Sequence, residues 1–496
     1  MTEPGLSSGM RWSGISVLGR EATRTLFTIA LARIIGPEDF GIVAQALVYI
    51  GIISLLVDQG FSSALIQRRE VGPTMPGAVV TVNLAVGVAL AAVTVLCAPL
   101  WASFMHTPEL VLVLIAFAPS LLFRAATVTP RAMLIRTMDF RKIAVADIAS
   151  ALCGGVLGLI AALTGAGYWA LVAQILTTDI VLVVVFVALG TAWRPNLKLR
   201  QLREIAGFAG RTFAAGILLN SVSRNIDNLL VGRFQGAEAL AFYGLAYRLL
   251  LIPVQLGLTT VATVLFSAFS RLTDDLSALR TEVTRATRAI AILALPAMAL
   301  IAASAPQLVA VVFGSQWKPA VPIVSVLAMA GALQAIYQST TNPAMLSLGR
   351  DKLSLRYAWL TTLVTTVGIV AGLPHGPFGV AVGYTAATVV LVPVEWAIRA
   401  QLVGLTVRTE IATIGPAVHV AAWVAGSYLA VAALIPHHDL AALGCGVAVA
   451  VLAGIGVLRI AHRRFLGELT DMARRLAGRG AGTTEPDTQQ PDEKPR

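Results

Sequence analysis

The chain has 496 residues, 57% of them hydrophobic and only 13% charged, with a mean hydropathy of +0.79, whereas an average soluble domain carries roughly 25% charged residues. That balance excludes a water-soluble globule built on one core. The net charge of +11 does not point to nucleic acid, because the basic residues gather in short connections between apolar stretches, where they report membrane topology.

Apolar runs near or above about 20 residues suffice to cross a hydrocarbon core of roughly 30 Å. Bounded by Gly, Pro or charge, they predict about fourteen transmembrane helices, at 14–34, 40–64, 78–101, 110–130, 143–163, 168–189, 209–230, 240–268, 288–312, 320–345, 354–373, 377–398, 411–434 and 439–459. The first run carries Arg20, Glu21 and Arg24, unlike a cleavable signal peptide, so an uncleaved first span is expected. In the connection after it, Gly36 can end one helix and Pro37 begin the next. Glu38 and Asp39 then sit at a helix N-terminus, which makes a tight hairpin and not a catalytic acid pair. Gly154 and Gly158 in the fifth run form G-x-x-x-G, a signal for close helix packing. Cys97, Cys153 and Cys445 are far apart inside apolar runs, so neither a disulfide framework nor a zinc site is indicated. The six histidines are scattered and suggest no metal or nucleophile constellation.

Connections after even-numbered spans hold Arg68, Arg69, Arg136, Arg141, Lys142, Arg194, Lys198, Arg200, Arg203, Arg271, Arg280, Arg285, Arg288, Arg350, Lys352, Arg356, Arg399 and Arg408; the odd-numbered ones offer Arg33, Arg233 and Lys318. The positive-inside rule then places both termini in the cytoplasm. The expected organisation is a cytoplasmic N-terminus (1–13), an N-lobe of six spans (14–190), a cytoplasmic linker (191–208), a C-lobe of six spans (209–400), two further spans (401–459) and a tail (460–496), basic at first and then of disordered composition.

The two lobes are expected to be copies. At an offset of 200, Arg24 meets Arg224, Arg33 meets Arg233 and Gly36 meets Gly236. Farther on, Thr129-Pro130-Arg131-Ala132-Met133-Leu134 resembles Asn342-Pro343-Ala344-Met345-Leu346, and Gly165-Ala166-Gly167-Tyr168 falls opposite Gly376-Pro377-Phe378-Gly379. An even repeat of six helices starts both copies on one face of the membrane, related by a pseudo-two-fold along the membrane normal, with a cavity between them.

Charges inside spans cost roughly 2.5–3.5 kcal/mol each on insertion scales and therefore face an interior or one another. Arg20 and Arg24 share a helical face, with Glu21 three residues before Arg24 as a packing partner; Asn220, Arg224 and Asp227 form a stripe at i, i+4, i+7. Two guanidinium groups from the two halves suit an anionic ligand, because a planar fork matches phosphate oxygens and stays protonated. The competing reading makes Glu21–Arg24 and Arg224–Asp227 plain packing pairs. Gln334, Gln338 and Asn342 give the tenth span a polar stripe suited to a sugar path or to interhelical hydrogen bonds. Arg124, Arg131 and Arg248 lie nearer to span ends, where reaching for the interface is expected.

The stretch Ala32-Arg33-Ile34-Ile35-Gly36-Pro37-Glu38-Asp39-Phe40-Gly41, continuing through Asp58-Gln59-Gly60-Phe61-Ser62-Ser63-Ala64-Leu65-Ile66-Gln67-Arg68, resembles the amino-terminal signature of bacterial polysaccharide flippases of the multidrug/oligosaccharidyl-lipid/polysaccharide exporter superfamily, in its lipopolysaccharide and teichuronic-acid export branch. Met138-Asp139-Phe140-Arg141, Gly165 to Val172 and Asn225 to Arg233 extend the likeness. It implies a bacterial plasma-membrane protein that is not an enzyme, with two six-helix lobes around a cationic cavity, moving polyprenyl-diphosphate-linked oligosaccharide by alternating access. Its implied partners are that glycolipid, membrane lipids, and the glycan polymerase and glycosyltransferases of the same biosynthesis. Arg20, Arg24, Arg224, Asn220, Asp227, Gln334 and Gln338 are the expected substrate contacts; Asp58, Asp147 and Asp227 are the expected carriers of a coupled ion. No phosphate-binding G-x-x-x-x-G-K-[ST] loop occurs, so direct use of nucleotide is not expected, and no cofactor is called for. The rivals are a drug or cation antiporter of the same superfamily, which would show an acidic cavity, and a membrane glycan polymerase or ligase, which would carry a large external loop.

Overall fold

The computed structural model describes residues 6–58, 60–68, 70–202, 207, 210, 226–436, 438–463 and 467, and at 6–18, 58 and 250–264 only their backbone. Its long elements are all helices: α1 (Leu6–Ile34), α2 (Pro37–Asp58), the short α3 (Phe61–Gln67), α4 (Met75–Met105), α5 (Leu110–Arg136), α6 (Phe140–Leu163), α7 (Trp169–Ala188), α8 (226–234), α9 (Ala237–Ser270), α10 (Leu276–Val312), α11 (Val321–Ser347), α12 (Asp351–Gly372), α13 (Gly376–Val403), α14 (Val407–Leu434) and α15 (Asp439–Ala461). No strand occurs among the described residues. Ten described stretches are long and apolar enough to cross a membrane, one of which, Asp351–Val403, contains both α12 and α13. The protein is a multi-pass, all-α membrane protein. Helix α1 is not among the ten, since Arg20, Glu21 and Arg24 interrupt its apolar run.

Thirteen of the fourteen predicted spans coincide with a long helix; the remaining one, 209–230, lies mostly outside the described residues and ends in α8. The second span, expected to run over 40–64, is broken. Helix α2 stops at Asp58, and Gly60 takes φ 78° ahead of α3. That left-handed backbone is open to glycine without a Cβ clash, and it turns the chain out of one helix into the next.

The halves repeat in their packing as well as in sequence. In the first, α2 lies on α4 and α5, α5 on α4 and α7, and α6 on α7; in the second, α9 lies on α10 and α11, α11 on α10 and α13, and α12 on α13. Pro130 in α5 has its counterpart in Pro343 of α11. Pro99 in α4 and Pro306 in α10 each stand six residues before the last residue of their helix. The additional pair, α14 and α15, docks on α10 of the second half.

The equivalent helices α2 and α9 meet across the boundary between the halves. Their starts touch backbone to backbone: a Cβ on Gly41 would fall 1.9 Å from the carbonyl oxygen of Ala237. Gly41→Ala is therefore expected to wedge the halves apart, with an overpacking cost of about 1–3 kcal/mol read as a lowered melting temperature of the purified protein.

One apolar core joins the halves at the end of the molecule where the α1–α2 and α8–α9 hairpins turn. It takes Leu31, Phe40, Met105 and Leu110 from the first half and Leu240, Phe313, Trp317 and Val380 from the second. At the opposite end each half keeps its own core, Leu134, Ile143, Ala146 and Phe186 in one, Leu279, Val283, Ile398 and Leu402 in the other. Among the described residues no buried cluster joins the halves there, so the described core closes the hairpin end.

Candidate functional site

The closed end is held by contacts that cross between the halves. Trp317, in the connection after α10, is fully buried; its Nε1 donates to the carbonyl of Ala32 at 2.7 Å, and its ring meets Phe40 and Phe242 edge-on at 5.5 and 5.9 Å. Gln316 Nε2 donates to the same carbonyl at 2.8 Å. The repeat-related Arg33 and Arg233 act reciprocally. Arg33 Nη2 donates to the carbonyl of Val311 at the end of α10, 2.6 Å away, and Arg233 Nη1 meets His106 Nδ1 at the end of α4, 2.9 Å away. Each arginine thus reaches from one half to the other, as a pseudo-two-fold requires.

Inside, α1 supplies the first charges. Arg20 pairs with Glu21 at 3.1 Å and with Asp147 of α6 at 3.4 Å, and Asp147 also takes a bidentate pair from Arg131 of α5. Asp147 is 4% exposed and shared by two arginines, which it holds in place. Two expectations change. Glu21 pairs with Arg20 and not with Arg24, since the neighbouring side chain lies within reach. Arg131 and Arg124 do not simply extend to the interface: Arg124 pairs with Asp179 of α7 at 3.2 Å and with Ser54 of α2 at 3.2 Å.

Arg24 is left without a carboxylate. It is exposed, makes no ion pair among the described residues, and stands close enough to Arg248 of α9 for the two like charges to act on each other. Arg248 is also exposed and makes no ion pair among the described residues, although the charge of Glu21 reaches it as well as that of Arg24. Two exposed guanidinium groups, one from each half, therefore stand within electrostatic reach of each other. With Arg20 and Arg131 they make four cations against the carboxylates of Glu21 and Asp147. Like charges held together inside a membrane are unfavourable unless an anion joins them.

Arg224 and Asn220 lie outside the described residues, and so does the side chain of Asp58. Asp227 is buried at 4% exposure and accepts from its neighbour's backbone, Asn228 N, at 2.8 Å and from the hydroxyl of Tyr243 at 3.2 Å. Tyr243 stacks on Tyr247, whose ring meets Tyr384, and Gln334 donates to the Tyr384 hydroxyl. A run of tyrosines thus joins Asp227 to Gln334, while Gln338, one turn along α11, is exposed. Asp227 has no cation beside it among the described residues.

Arg248 is the residue that sequence reasoning placed wrongly. The signal was present: it stands 11 residues into α9, which at about 1.5 Å per residue is roughly 17 Å from that end, too deep for an ordinary reach to the interface.

The family described as polysaccharide biosynthesis protein matches residues 30–322. The chain is similar to the succinoglycan biosynthesis transport protein ExoT of Rhizobium meliloti (strain 1021), 26% identical over 74% of this chain and 74% of that one. It is similar also to the lipopolysaccharide biosynthesis protein WzxC of Escherichia coli (strain K12), 24% identical over 77% and 78%, and to the teichuronic acid biosynthesis protein TuaB of Bacillus subtilis (strain 168), 25% identical over 73% and 75%. Among solved structures, the lipid II flippase MurJ in an inward closed conformation superposes with a TM-score of 0.71 at 14% identity, over 94% of this chain and 100% of that one. An inward-facing multidrug resistance MATE family transporter gives 0.56 at 17% identity, over 78% and 98%. These last two likenesses show a shared fold.

Proposed function

The chain belongs to the polysaccharide biosynthesis protein family, and on that premise we propose that it is a flippase, not an enzyme, carrying a polyprenyl-diphosphate-linked oligosaccharide across the bacterial plasma membrane. The carrying observation is the facing pair Arg24 and Arg248, one from each half, neither in an ion pair among the described residues and with only Glu21, itself bound to Arg20, near enough to act on Arg248. A diphosphate supplies the missing negative charge and two sets of oxygens for planar forks. Arg20 and Arg131, fixed by Asp147, extend the cationic wall. Gln334 and Gln338 offer amides to the sugar, and Arg224, Asn220 and Asp227 complete the expected contacts. Names of the relatives favour this cargo over a drug: one is a succinoglycan transport protein and another a lipopolysaccharide biosynthesis protein.

The working cycle exchanges the observed arrangement, closed at the hairpin end, for one closed at the other end. Lobes 14–190 and 209–400 rock about the α2–α9 contact, with both termini in the cytoplasm and the hairpin end outside. Glycan polymerase and glycosyltransferases would act on the same glycolipid before and after it crosses.

In proteoliposomes holding the purified full-length protein, a polyprenyl-diphosphate-linked sugar is expected to become accessible on the far side. Translocation independent of the protein, or a preference for cationic drugs, would refute this reading. Asp58, Asp147 and Asp227 are proposed to carry the coupled ion, Asp227 foremost because it is buried without a countercharge among the described residues. Asp227→Asn is expected to remove the dependence of glycolipid exchange on an imposed ion gradient, read as equal rates with and without the gradient.

A further inference from the structure

A second polar centre lies inside the second half, away from the facing arginines, where α10 to α14 meet. Arg399 of α13 is 1% exposed and all of its N–H donors are engaged. Nε donates to Thr341 Oγ1 at 2.9 Å, Nη1 to both oxygens of Glu410 at 3.2 and 3.1 Å, and Nη2 to Thr287 Oγ1 at 3.1 Å and to Thr340 Oγ1. Its guanidinium also lies over the ring of Tyr337 at 5.1 Å. Arg399 and Glu410 are therefore a closed, neutral pair.

Glu395 stands one turn earlier on α13 and takes no bond from Arg399. It is 3% exposed; its Oε1 accepts from the Tyr357 hydroxyl of α12, while its Oε2 is buried with no hydrogen-bond partner. Thr361 Oγ1, one turn beyond Tyr357 and beside its hydroxyl, is likewise buried and unpartnered, and the Thr341 hydroxyl of α11 is within reach of the carboxylate. The charged groups acting on Glu395 are Arg399 and Glu410, so the centre holds two carboxylates against one guanidinium. An ionised carboxylate buried in this way costs several kcal/mol unless a positive charge reaches it. The hydroxyls of Tyr357 and Thr341 stand against the Glu395 carboxylate and that of Thr361 stands beside Tyr357, and oxygen donors suit a hard cation.

We propose that Glu395 Oε2, with the hydroxyls of Tyr357, Thr361 and Thr341, forms a binding site for one monovalent cation, a proton or a sodium ion. The site ties the α12–α13 hairpin to α11. It is separate from Asp227 and does not depend on the flippase reading, since occupancy is measured without glycolipid.

The test uses detergent-purified full-length protein with radioactive sodium as probe, together with infrared spectra at neutral pH. A saturable sodium-binding component whose affinity falls at least tenfold in Glu395→Gln and is unchanged in Asp227→Asn establishes the site with sodium as its ion. The carbonyl band of a protonated carboxylic acid, present in the wild type and missing from Glu395→Gln, establishes it with the proton. Should Glu395→Gln not fold, Tyr357→Phe and Thr361→Val are read in its place, each expected to weaken sodium binding or shift the acid band. If sodium binding is absent or indifferent to these substitutions, and no acid band belongs to Glu395, the proposal is overturned.

Discussion

Replacing Arg24 and Arg248 together by Ala is expected to lower glycolipid translocation by about 10²–10⁴-fold, because hydrogen bonds to charged groups contribute about 1.5–3 kcal/mol each and about 1.4 kcal/mol is a factor of ten. Insertion and melting temperature should hold, since neither side chain has an ion-pair partner among the described residues that its loss would strand. Lysine at both positions keeps the charge without the planar fork and should give an intermediate rate. The measurement is initial translocation rate in proteoliposomes at matched protein content. A rate within a factor of two of wild type in the double alanine variant would remove the facing arginines as the diphosphate site.

The largest effect on stability is expected at Arg399. Arg399→Leu strands Glu410, 2% exposed, inside the second half, and breaking a buried pair from one side costs about 3–5 kcal/mol. Arg399→Leu with Glu410→Leu removes both charges and should recover most of that loss. Melting temperatures of the two variants decide the matter: a double variant no better than the single one would show that the threonine and tyrosine contacts, not charge balance, carry the energy.

Much of this was legible before any coordinates. Apolar length located the helices because the bilayer imposes it, and the matched Arg33 and Arg233 foretold a repeat whose packing is now visible in α2–α4–α5 and α9–α10–α11. The break after Asp58 was hidden because α3 is as apolar as a helix end, and only the backbone of Gly60 reveals it. Pairing was harder to read. Asp147 lies 127 residues from Arg20 and 16 from Arg131, and spacing along one helix says nothing about partners on another. Arg248 has no counterpart at the repeat offset, so the repeat marks Arg24 and leaves Arg248 unmarked.

Trp317 sets an order for unlocking. The connection that bears it presses an indole between Phe40 and Phe242, whereas the end of α4 offers Arg233 a hydrogen bond to His106 and the face of Phe104 at 5.3 Å, with no buried aromatic inserted between the halves. Withdrawing a buried aromatic of 150–250 Å² costs roughly 4–6 kcal/mol, against about 1.5–3 kcal/mol for one hydrogen bond to a charged group. The door therefore swings on a tryptophan post, with the histidine flank as its free edge, and spin labels across the two flanks should show that edge parting first.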